Sequence, residues 1–158
     1  MRFITTCFAL LMSASSLAAT LNLEFINEDK YLDIDSGREM QSRFTERLKN
    51  KLGESFTKIA EKLPEDNVLN VSFTQIDLAG DTRFSSGDMY DIRIMKDLYR
   101  PLLAFDVKLT QGEETLHETS ARLVDNNYLN NSFKNGNEQF GYEMAMIKRW
   151  GSAWLKTH

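Results

Sequence analysis

The sequence predicts an α+β (or α/β) single domain: a mixed sheet of four or five strands with two helices packed on one face, in the order β-α-β-(β)-β-β-α. Three observations carry this expectation: a long stretch with apolar residues at helical spacing, several short stretches that alternate apolar and polar, and a second helical stripe near the end. Strands with one apolar face and helices with one apolar stripe hide both most simply as two layers.

The elements follow in order. Leu21, Leu23 and Phe25 alternate with Asn22 and Glu24, the period of a strand buried on one side. After a polar stretch, Met40, Phe44, Leu48, Leu52, Phe56, Ile59 and Leu63 place one apolar stripe on a helix over 38–63. Pro64 stops it, and Asp66 and Asn67 make a turn. Leu69, Val71 and Phe73 alternate again. The phase then slips to Ile76 and Leu78, which calls for a bulge or strand end near Thr74 and Gln75. This first strand-helix-strand unit fits a right-handed crossover with parallel strands. Ala79-Gly80-Asp81 signals a turn, and Ile92 with Ile94 suits a short edge strand. Leu103, Phe105, Val107 and Leu109 form a strong strand, Gln111-Gly112 turns the chain, and 116–124 returns as the second arm of a hairpin. A polar loop rich in asparagine spans 125–137. Tyr142, Met146, Trp150 and Trp154 then mark a helix over 141–156, where both tryptophans read as core.

The first residues carry their own signal. Arg2, the apolar run from Phe3 to Met12 and the small residues around Ser16 and Ala18 outline a cleaved secretory signal peptide over 1–18. The run is about half the roughly 20 apolar residues that a membrane span needs. Residues 19–158 then form the globular domain. Removing Arg2 lowers the basic count from 19 to 18 against 23 acidic residues, a net charge of −5. Cys7, the one cysteine, leaves with the signal, so a fold without disulfides must be held by its core. The expected address is the periplasm or the medium.

Composition excludes several functions. An acidic balance argues against nucleic-acid binding, which works through phosphate neutralisation. Nothing after the signal is long enough to cross a membrane, and no cofactor motif is present. With one cysteine and two histidines there is no multi-thiolate or ligand-spaced zinc cluster. Nucleophilic catalysis needs a hydroxyl or thiol beside a base. His117 reads as an exposed strand residue, and His158 is terminal.

Four groups of residues together resemble a known family: Phe25 with Tyr31-Leu32-Asp33-Ile34; Ile76-Asp77-Leu78-Ala79-Gly80; Arg122-Leu123-Val124-Asp125-Asn126-Asn127-Tyr128-Leu129; and Tyr142-Glu143 before Ile147-Lys148-Arg149-Trp150. In order and spacing the chain resembles domain of unknown function family 3016, a family of bacterial envelope proteins. The resemblance implies export and a single domain, and it implies no catalytic residues.

The candidate ligand-binding residues are Asp33, Asp77, Asp125, Asn126, Asn127 and Tyr128. Asp33, Asp35 and Glu39 lie near Gly37, but the pattern lacks the oxygen ligands at fixed steps that a calcium loop needs, so a helix entry is the simpler reading and no metal is expected. Asp77 ends a strand, where a carboxylate can meet a ligand or cap the turn with its own backbone. The amides of 125–127 and the ring of Tyr128 suit sugars or peptides such as cell-wall fragments; equally, asparagines satisfy turn backbone and tolerate left-handed dihedrals. The expected function is a non-enzymatic binding or accessory module whose partner is an envelope protein or cell-wall component. One alternative is a small carboxylate-dependent glycan hydrolase pairing Asp33 with Asp77 or Asp125, which requires carboxyls about 5–10 Å apart. Another is a carrier with an apolar pocket under the long helix.

Overall fold

The structure, a computed structural model, describes residues 18–28, 31, 36, 39–83, 92–130 and 138–157. Among the described residues six strands and two α-helices follow in the order β1 (Thr20–Phe25), α1 (Gln41–Ala60), β2 (Asn67–Asp77), β3 (Asp81–Arg83), β4 (Ile92–Ile94), β5 (Leu102–Gln111), β6 (Glu114–Val124) and α2 (Gly141–Trp154). The main sheet runs β1-β2-β5-β6, with β1 parallel to β2 and the other neighbours antiparallel. This is the mixed α+β sheet the periodicities imply, with four strands. Ile92–Ile94 does not extend it. That segment pairs with Asp81–Arg83 in a separate two-stranded ribbon, which the sequence did not suggest.

Alternation sets one face against the helices. Leu21, Leu23 and Phe25 on β1 stand beside Leu69, Val71 and Phe73 on β2, and these face Leu109, Val107 and Phe105 on β5. The phase slip in β2 is a bulge: pairing shifts between Phe73 and Gln75, so Thr74 is exposed and Ile76 returns to the core. A second shift, between Leu109 and Thr110, leaves Leu116 of β6 without an opposite number and 43% exposed. That shift sets His117 opposite Leu109 on the inner row. His117 is therefore half-buried against Trp154, ring centroids 5.8 Å apart, and is not the exposed residue expected from sequence.

An aromatic row crosses the inner face. Phe25 stacks on Phe73 at 5.2 Å, Phe73 meets Phe105 at 5.4 Å, and Phe105 meets Trp150 edge-on at 5.0 Å. The β6 residue opposite Phe105 is Ala121, whose small side chain packs against the core where the Trp150 indole sits. From α1, Phe56 reaches the middle of the row and contacts Phe73, Phe105 and Trp150. Trp154 is buried and Trp150 half-buried, so both belong to the core as their spacing implies. The helices approach closely at Gly151, where a Cβ would stand 2.3 Å from Ile59 Cδ1. The other face of the sheet carries Asn22, Glu24, Lys108, Asp106, Glu118, Ser120 and Arg122, all exposed.

Truncating the centre of the row should cost about 3–5 kcal/mol for Phe105→Ala, as for other buried phenylalanines. Urea denaturation is the check, with the exposed Lys108→Ala changing stability by less than about 0.5 kcal/mol.

Candidate functional site

The candidate site lies at the end of the sheet where β2 finishes, β5 begins and β6 finishes, since Asp77 pairs with Leu102 and Leu102 with Val124. After Asp77 the chain makes a tight turn through Leu78, Ala79 and Gly80, all buried. Gly80 has φ +83°, and an added Cβ would lie 2.7 Å from Met95 Sδ and 3.0 Å from Ile94 O, so both conformation and space demand glycine. The turn's backbone is held from outside. The Glu143 carboxylate accepts the Ala79 N–H at 2.7 Å, Arg93 Nη1 donates to Ala79 O at 3.1 Å, and the Gly80 N–H donates to Tyr99 O at 2.9 Å.

Glu143 is the residue that sequence reasoning missed as a site. It is the third residue of α2, 2% exposed, and 64 positions from the amide it binds. The helix begins after Phe140, which has a left-handed backbone and provides no side-chain cap. Glu143 also accepts its own backbone N–H, so a carboxylate occupies the positive end of the helix. Burial raises its pKa above the ordinary glutamate range. The Ala79 and Glu143 amides and Arg93 oppose the shift, and Asp77 adds to it. Asp77 is half-buried, and burial raises its pKa too, against the pull of Arg93. Among the described residues its carboxylate makes no hydrogen bond, so the side chain binding this turn is Glu143 and not, as the local reading had it, Asp77.

The Asn-rich stretch packs beside this turn. Asp125 pairs with Arg149 at 2.5 Å, and its Oδ1 accepts the Asn127 N–H at 3.1 Å. Asn126 Oδ1 accepts from Arg100 at 2.8 Å, and Asn127 Oδ1 from Asn130 at 2.7 Å. Tyr128 is not the exposed aromatic face that a sugar would stack on. It is 1% exposed, meets Tyr142 edge-on at 4.8 Å, and donates its hydroxyl to Lys96 O at 2.8 Å. A 3-10 turn over Tyr128–Asn130 directs the ring inward. Of the candidates, Asp77 and Asp125–Tyr128 come to one end of the sheet, and Asp33 lies outside the described residues.

Beside the Glu143 bond opens a cavity of about 210 Å³. Phe44, Leu78 and Phe140 form apolar walls, and Arg93, Gln139 and Glu143 supply polar groups. Asp77 does not line it. Among the described residues no three His, Cys, Asp or Glu side chains are grouped to hold a metal ion, and no helix is long and apolar enough to cross a membrane.

Three of the four resembling segments thus meet here: Ala79 with Glu143, Asp125 with Arg149, and Tyr128 with Tyr142. A family described as Protein of unknown function (DUF3016) matches residues 19–153. The chain belongs to this family. No curated protein matches it. The DUF3016 match covers every strand among the described residues and all of α2 but Trp154, so it takes in the contacts that join the turn, the loop and the helix.

The raised Glu143 pKa has a definite sign. The folded state holds this proton more tightly than the unfolded chain does. The resulting stability is full below the ordinary glutamate pKa of about 4.3 and declines as pH rises toward the raised value. Urea stability measured from about pH 4 to pH 8 should fall less steeply in Glu143→Gln than in the unaltered chain. Glu143→Ala, which leaves the Ala79 N–H without its acceptor and removes the titrating group, should cost about 1–3 kcal/mol near pH 4 and less as pH rises.

Proposed function

We propose that this protein is an exported, non-enzymatic binding module, and that the cavity beside Glu143 holds part of an envelope component. The observation that carries the reading is the cavity's composition: apolar walls with Arg93, Gln139 and the Glu143 carboxyl converging on one small space. Arg93 supplies N–H donors, Gln139 supplies both donor and acceptor, and the Glu143 carboxyl supplies acceptor oxygens. That set complements an amide, the group common to peptides and N-acetylated sugars. A cavity of about 210 Å³ admits one such group with a short apolar attachment, not a whole glycan. The charged side chains lining it have internal work: Glu143 holds the Ala79 amide, Arg93 donates to Ala79 O, and Glu138 stands 3.7 Å from Lys51 Nζ; nearby, Asp125 is tied to Arg149. The hydrolase reading with Asp125 loses support from that pairing.

Soluble muropeptides titrated into the ¹⁵N-labelled protein should shift the amides of Ala79–Asp81 and Gln139–Glu143. Met95→Trp, placed at an exposed wall of the cavity, should abolish those shifts without unfolding the chain. Shifts elsewhere, or shifts that survive Met95→Trp, would contradict the reading. Export has its own check: material from the periplasmic fraction should begin at Ala19, and material that keeps Met1 would refute it.

A further inference from the structure

β6 is an outer strand: it pairs with β5 and with no other strand among the described residues. The core is sealed over the neighbouring strand, where Leu103, Phe105, Val107 and Leu109 are at most 4% exposed. It is open over β6, whose inward residues His117, Thr119, Ala121 and Leu123 are all half-buried. The outward row reads Glu118, Ser120, Arg122, with an acid and a base placed symmetrically about a serine. Within its own sheet Glu118 faces Lys108, while Arg122 faces Ala104 and has no carboxylate directly opposite.

We propose that β6 pairs antiparallel with β6 of a second copy of this chain, about a two-fold axis through Ser120. Antiparallel partners on one face must have the same parity, so such an axis passes through a residue. Centred on Ser120, the pairing sets Glu118 of each copy opposite Arg122 of the other, and it forms both ion pairs at once. The inner row then pairs Thr119 with Ala121 and His117 with Leu123, carrying the covered inner face across the open edge. Centring on Glu118 or on Arg122 sets like charges face to face, which is unfavourable. Centring on Thr119 or Ala121 sets Ser120 opposite a charge and forms no ion pair. The paired segment, 117–123, ends before the bulge at Leu116, so the irregular part of the strand lies outside it. The other outer strand, β1, is six residues long, and its outward row of Thr20, Asn22 and Glu24 has no such charge symmetry. The contact is isologous and closes at two copies. It adds a strand to a strand, with backbone hydrogen bonds for affinity and the charges for register.

Sedimentation of the purified protein over a concentration series tests this directly. The unaltered chain should dimerise. Glu118→Arg and Arg122→Glu, each of which turns both attractive pairs repulsive, should each raise the dimer Kd about tenfold or more. The double variant, which restores opposite charges, should return Kd to near its starting value. Both residues are exposed, and unchanged circular dichroism shows that the fold persists. In the chain that begins at Ala19, which contains no other cysteine, Ser120→Cys should form a disulfide-linked dimer on oxidation, because opposite Cβ atoms stand about 5 Å apart. Glu118→Cys should not, because its two copies lie about 13 Å apart along the strands. A protein that stays monomeric up to roughly 1 mM, single reversals that leave Kd unchanged, or a double variant as weak as either single would overturn the proposal.

Discussion

The bond from Glu143 to the Ala79 amide determines how the two layers of this protein meet. One carboxylate, buried at the first turn of α2, satisfies a backbone donor at the end of β2 and one in its own helix. Burying an acid is costly unless hydrogen bonds compensate it, and the positive end of the helix lowers that cost further. The consequence is positional. Where α2 starts is set by where β2 ends, and Tyr142, Arg149 and Trp150 are carried to Tyr128, Asp125 and Phe105 as the helix proceeds. The cavity beside the bond exists because this junction is polar on one side and lined by Phe44, Leu78 and Phe140 on the other.

The aromatic row complements that junction. Cross-strand register places Phe25, Phe73 and Phe105 side by side, and Phe56 presses into them from α1. Edge-on contacts at 5.0–5.8 Å are geometries in which aromatic pairs add to plain burial. Both helices lie on this face, so the opposite face keeps its polar row, where Asn22 bonds to Asn70 at 2.9 Å and Ser120 to Asp106 at 2.6 Å. A one-sided sheet leaves both outer strands only half covered, and the chain answers differently at each: β1 is short, while β6 is long and bears a symmetric charge pattern.

Much of the fold was legible because alternation and four-residue steps are local. Phe44, Leu48, Leu52, Phe56 and Ile59 declare a helix without knowledge of their partners, and the slip from Phe73 to Ile76 declared the bulge at Thr74. The site was legible only in part. Asp77 and Asp125 looked interesting as carboxylates near turns, yet nothing local says that Arg149 takes Asp125 or that Asp77 lacks a turn bond. Glu143 looked like any helical acid, because its burial depends on an amide 64 positions earlier. Tyr128 and His117 were misplaced for the same reason: a 3-10 turn and a bulge, both one residue in scale, decide which way each ring points. Ile92 and Ile94 declared β4, but its partner β3 was hidden, because the three residues Asp81–Arg83 carry too little periodicity to register.

The most direct test of this account is native-state hydrogen exchange at the Ala79 amide. A loop amide one turn past a strand normally exchanges fast. If Glu143 holds it in a buried bond, its protection should equal that of Val71 or Val107 in the central strands, and it should fall by orders of magnitude in Glu143→Ala while those strands remain protected. Exchange at Ala79 as fast as at the exposed hairpin turn of Gly112 and Glu113 would contradict the account.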